Sequence, residues 1–91
     1  MRELLDINEF ETLIASDKIS ILLFGSTSCM PCQALKRKIH NWNKLHPSVV
    51  TRYISIDDYP ELAGQNEIFS VPTVKIIYGG KNYIHKSVRS M

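Results

Sequence analysis

Apolar residues recur along the chain with two periods, one helical and one extended. Ile7, Phe10, Leu13 and Ile14 share one face at helical spacing, and Asp6 followed by Glu9 has the spacing of a capping box. A helix is therefore predicted over 7–16. Residues 19–24 form a short, nearly continuous apolar run (Ile19, Ile21, Leu22, Leu23, Phe24), which predicts a strand buried on both faces. Gly25, Ser26, Thr27 and Ser28 break that run as a loop. From Met30 to Leu45 the pattern turns helical again. Ala34, Leu35, Ile39, Trp42 and Leu45 lie on one broad face, with Trp42 assigned to the core, and Lys36, Arg37 and Lys38 fill the solvated side. Pro47 ends this helix.

Strict alternation over 49–56 predicts a second strand, with Val50, Arg52, Ile54 and Ile56 on one line and Val49, Thr51, Tyr53 and Ser55 on the other. Pro60 suits the first turn of a short helix over 60–66. A third strand is predicted over 71–78, a turn at Gly79-Gly80, and a returning strand over 82–88. The first two strands, joined by a helix, make a βαβ unit and should run parallel; the last two should form an antiparallel hairpin. The predicted fold class is α/β, with helices flanking a mixed four-stranded sheet.

The chain has 91 residues, which points to a single domain over 1–91 with a small core. Its apolar fraction of 44% and charged fraction of 22% are those of a globular protein, not a disordered one. The formal net charge of +2 is too weak to argue for nucleic acid or a membrane surface. Basic residues gather at Lys36, Arg37 and Lys38 and at Lys81, Lys86 and Arg89, and solvated faces account for both groups. Met1 and Arg2 run into Glu3 and Asp6 with no apolar segment of the signal-peptide kind, and no apolar run approaches a membrane span. The expectation is a cytoplasmic protein.

Two cysteines are too few for a disulfide scaffold. Their spacing, Cys29-Met30-Pro31-Cys32, moves the question to chemistry, and their position matters more than the spacing. They fall where the first buried strand ends and the long helix begins. A helix N-terminus offers unpaired N–H groups and about half a positive charge, which stabilises a thiolate over its thiol. Cys29 should be the more exposed sulfur and the nucleophile. Cys32, one turn in, should lie beneath it and resolve the mixed disulfide. Pro31 fits the first turn because its missing N–H has no helical partner there.

At these residues the chain resembles the thioredoxin family. The likeness rests on Ile21-Leu22-Leu23-Phe24, the loop into Cys29-Met30-Pro31-Cys32, Ser55-Ile56-Asp57, and Val71-Pro72-Thr73, and it spans nearly the whole chain. It implies a three-layer α/β/α fold and a thiol–disulfide oxidoreductase that reduces protein disulfides. It further implies a cis Pro72 facing the cysteines and a backbone at Val71 that pairs with bound substrate. With Ser28, Met30 and Pro31 beside the cysteines, these make the candidate substrate-binding residues. The redox-active pair would be the whole cofactor, and no metal is expected, since His40 and His46 fall at the far end of the helix. Client proteins with disulfides, and a reductase or small thiol as electron donor, are the implied partners.

Three departures from the family pattern stand out. Ser28 replaces the usual tryptophan before the first cysteine. Leu23 replaces the usual buried aspartate that takes the proton from the second thiol, leaving Asp57 or solvent as candidate acceptors. The chain ends at Met91, where the family normally adds a helix over one sheet face, so self-association through an uncovered face of the last hairpin is an expectation. Met30-Pro31 points to a reductant with a potential on the order of −200 to −270 mV. The alternative is a thioredoxin-fold binding or scaffold module within a larger assembly, in which the cysteines are secondary.

Overall fold

A computed structural model of the chain describes residues 1–87. The element order is β1 (Arg2–Glu3), α1 (Ile7–Ala15), β2 (Ser20–Gly25), α2 (Met30–Leu45), β3 (Val50–Ser55), α3 (Pro60–Gln65), β4 (Thr73–Tyr78) and β5 (Lys81–Ser87). The strands form one mixed sheet in the order β1-β3-β2-β4-β5. β2 and β3 are parallel and β4 and β5 antiparallel, as the βαβ unit and the hairpin predict.

Each element has a local cause. Asp6 caps α1 by accepting the N–H of Glu9 at 2.8 Å, and the Glu9 carboxylate in turn accepts the N–H of Leu5 at 2.9 Å. Glu9 also pairs with Arg52 at 3.4 Å, tying the helix start to β3. Gly79 and Gly80 both have positive φ, the conformation the β4–β5 turn requires.

The layers follow from which face each apolar set takes. Phe10 and Leu13 of α1 and Leu62 of α3 pack with Leu22, Phe24, Ile54 and Ile77 on one side of the sheet. On the other side Leu23, Cys32 and Tyr53 form a second cluster, with Leu35, Ile39, Val71 and Val74 against it. That second cluster contains Cys32, and Cys29 packs against it.

Several expectations are corrected. The sheet has five strands, not four, because Arg2–Glu3 adds a two-residue parallel edge to β3, extended by the Leu4 N–H donating to Tyr53 O at 2.9 Å. Such a strand is made by its partner and has no pattern of its own. Trp42 is not core: it is 40% exposed and stacks on the His46 ring at 4.2 Å. Leu45 is exposed as well, as are Ile7 and Ile19. Lys36 is half-buried rather than solvated. Val71 and Pro72 precede β4 instead of opening it. Val88 and Arg89 lie outside the described residues, as do the β5 side chains on which the self-association expectation rests.

A buried lysine sits on the face that carries α1 and α3. Lys75, in mid-β4 opposite Leu22, is almost fully buried, and its ammonium donates to Asn66 Oδ1 at 3.0 Å. Burial lowers its pKa from the ordinary 10.5, with Glu67 opposing. A folded-state pKa below the unfolded one means that the unfolded chain binds the extra proton. Stability should then rise as pH climbs from the folded value towards 10.5. Lys75→Met is expected to flatten that rise and to stabilise the neutral-pH protein by about 1 kcal/mol. Thermal melts at pH 7 and pH 10 check both; a lower melting temperature for the variant at pH 7 would count against the account.

Candidate active site at the start of α2

The site is built by a strand that stops and a helix that starts. β2 ends at Gly25, residues 26–28 cross over, and Cys29 takes the N-cap of α2 with extended backbone at φ −88° and ψ 106°. Its sulfur accepts the Cys32 N–H at 3.1 Å, so one orphan donor of the first turn is spent on the Cys29 sulfur. Pro31 occupies the first turn, where its missing N–H costs nothing. Cys29 and Cys32 are joined in a disulfide with Cα atoms 5.2 Å apart.

The two sulfurs differ in environment as the helix geometry predicts. Cys32 is fully buried in the cluster with Leu23 and Tyr53, whereas Cys29 is only half-buried. Val71 packs against the same cluster, and the Val71–Pro72 peptide is cis. The structure thus brings Cys29, Cys32 and Val71 together, with Pro72 buried next in the chain. Ser28, Met30 and Pro31 form an exposed rim, Met30 at 78%. Leu23 is buried against Cys32 where the family's acid would stand. Asp57 is exposed beyond the end of β3.

One further side chain belongs to the site and is not singled out by pattern. Tyr53 is buried in the cluster, and its hydroxyl donates to Ser26 O at 2.8 Å and accepts from the Gln33 amide at 3.3 Å. Burial pushes the Tyr53 phenol above its ordinary value, with Glu3 and Asp57 adding and the Gln33 bond opposing. Tyr53 stays a neutral donor at physiological pH and cannot serve as a base. Its position follows from register: β2 and β3 are parallel, and Leu23 pairs with Tyr53.

The histidines stand elsewhere. His40 Nδ1 lies 2.7 Å from the Met1 amino group, and that ammonium holds the imidazole below its ordinary pKa. His46 caps the far end of α2. Among the described residues no group of three or more His, Cys, Asp or Glu could hold a metal ion, and no helix is long and apolar enough to cross a membrane.

Comparison with known proteins gives a consistent answer. The Thioredoxin family model matches residues 3–90. Thioredoxin-1 of Saccharomyces cerevisiae is 28% identical over 74 residues, covering 81% of this chain and 72% of its own length. Thioredoxin 2 of Chlorobaculum tepidum is 32% identical over 80 residues, covering 87% of this chain and 73% of its own. The X-ray structure of Fasciola hepatica thioredoxin superposes with a TM-score of 0.86 at 26% identity, covering 96% of this chain and 86% of that one. With a disulfide-forming pair at the head of α2 and a family match along nearly its full length, the chain belongs to the thioredoxin family of thiol–disulfide oxidoreductases.

Proposed function

We propose that this protein reduces disulfides in client proteins by two successive exchanges. The Cys29 thiolate attacks a client disulfide, forming a mixed disulfide and releasing one client thiolate. Cys32 then loses its proton, attacks Cys29 Sγ, and closes the Cys29–Cys32 disulfide as the second client thiolate leaves. The observation that carries this reading is the asymmetry of the pair: a half-buried Cys29 sulfur accepting a helix N-terminal N–H, above a fully buried Cys32.

The remaining assignments belong to the same proposal. Val71, beside the cis peptide, offers its backbone to the extended client segment, and Ser28, Met30, Pro31 and Pro72 shape the surface around it. The disulfide is the only redox group the cycle needs. A reductase or a small thiol supplies electrons, and the cytoplasm is the compartment that keeps such a pair reduced.

Equilibration in thiol–disulfide buffers of defined potential, with free thiols counted by mass, tests this. One two-electron transition at about −200 mV or below is the expected result. A midpoint near −120 mV would mark an oxidant. Failure to form the intramolecular disulfide at any poise would remove the mechanism.

A further inference from the structure

The cycle leaves one step without a visible helper. Cys32 must lose a proton from a fully buried site, where Leu23 stands in place of the family's acid and Tyr53 stays a neutral donor. The N–H of the first turn that α2 offers is directed at the Cys29 sulfur. A positive charge near Cys32 would favour its thiolate.

Lys36 lies one turn after Cys32 on α2, on the same helical face. It is half-buried, and its ammonium sits 4.5 Å from the centroid of the Tyr53 ring. That ring is held from both ends. Its hydroxyl is fixed by Ser26 O and the Gln33 amide, and its backbone is fixed in register with Leu23. The ring shares a buried cluster with the resolving cysteine, and both border Gly25: a methyl group placed there would meet Tyr53 Cζ at 2.8 Å and Cys32 Cβ at 3.0 Å. Lys36 thus lies over a ring that shares one buried cluster with Cys32.

We propose that Lys36, positioned by the Tyr53 ring, supplies the charge that stabilises the Cys32 thiolate while the mixed disulfide is resolved. This rests on the exchange mechanism proposed above. The proton leaves Cys32 for water, the thiolate attacks Cys29 Sγ, and the client sulfur departs with the electron pair and is protonated from solvent. Lys36 neither gives nor takes a proton.

The other charges facing this cluster do not substitute for it. The Met1 ammonium adds positive charge from the start of the chain, and Lys36 acts on it in turn. Glu3 from β1 and Asp57 beyond β3 are both exposed and oppose a thiolate. β2 and β4 contribute Leu23 and Val74, and the segment before β4 contributes Val71, all uncharged, because Lys75 lies on the opposite face with Ile77.

In a Cys29→Ser background Cys32 is the only thiol, and its thiolate can be followed by ultraviolet absorbance. Lys36→Gln is expected to cut the thiolate fraction at neutral pH about tenfold. Lys36→Arg, keeping charge over the ring, should restore it to within about threefold. A Gln variant that titrates with the parent, or an Arg variant that falls with the Gln one, overturns the proposal. With both cysteines present, Lys36→Gln should slow resolution of a pre-formed mixed disulfide about tenfold at neutral pH, with the deficit closing as pH rises. A deficit that persists at high pH assigns Lys36 to packing and likewise overturns it. Failure of the parent protein to exchange with any disulfide would sink the oxidoreductase cycle itself, whereas the titration reads Lys36 without it.

Discussion

Cys29→Ser is expected to abolish disulfide exchange, and Cys32→Ser to halt it one step later with client covalently held. Burial decides the difference. A client disulfide is too large to reach a sulfur with no exposed surface, so it must meet Cys29. Without Cys29 no covalent complex forms. Without Cys32 the mixed disulfide forms normally but loses its intramolecular attacker. The helical turn places that attacker in contact with Cys29 Sγ, and replacing it with a free thiol in solution should slow release on the order of 10³-fold. Non-reducing gels and intact mass of each variant after incubation with a disulfide-bonded client read both outcomes. Adducts on Cys29→Ser but none on Cys32→Ser would reverse the roles. A chain that serves as a scaffold behaves differently again, since its partners bind both variants equally and without a covalent link.

The parts of this site that were legible in the sequence are those fixed over short range. A cap, a helical period and a buried run of strand residues place Cys29 at the head of α2 with no knowledge of the rest of the chain. The glycine turn and the βαβ unit extend that to topology. Val71 and Pro72 came from the family pattern, and the structure sets Val71 against the cysteine cluster.

What escaped depends on neighbours far along the chain. Alternation put Tyr53 on a strand face, but not under Cys32. Only the parallel pairing of β2 and β3, aligned at Gly25 and Ser55, sets it opposite Leu23. Lys36 looked like one of three solvated cations until that ring gave it a partner. Trp42 and Leu45 matched the apolar face of α2, but the helix outruns its support. Its 16 residues span about 24 Å, against about 20 Å for the six-residue strands beneath it. The last turn finds no sheet to cover, and Trp42 stacks on His46 instead.

Gly25→Ala is expected to be among the most destabilising single-methyl changes in the chain, because Gly25 is set by space and not by backbone freedom. It closes β2 on the face that carries Leu23, fully surrounded. An added Cβ would collide with the Tyr53 hydroxyl, and would stand 2.8 Å from Tyr53 Cζ and 3.0 Å from Cys32 Cβ. Neither neighbour can retreat at low cost. The phenol is fixed by Ser26 O and Gln33, and Cys32 is fixed by its helix and its disulfide. Overpacking of this kind costs about 1–3 kcal/mol, and in a domain of this size each kcal/mol lowers the melting temperature by about 4–8 °C. The clash can be isolated by removing the obstacle. Tyr53→Val leaves a cavity and is itself destabilising, but it vacates the space that the new methyl needs. The double variant should therefore be less destabilised than the two single costs combined, by about 1 kcal/mol or more. Strict additivity would mean that the strand end shifts to accommodate the methyl, and the close seating of Tyr53 against Cys32 would not be a constraint on the site. A favourable coupling would show that the missing side chain at Gly25 makes room for the aromatic ring beneath the resolving cysteine.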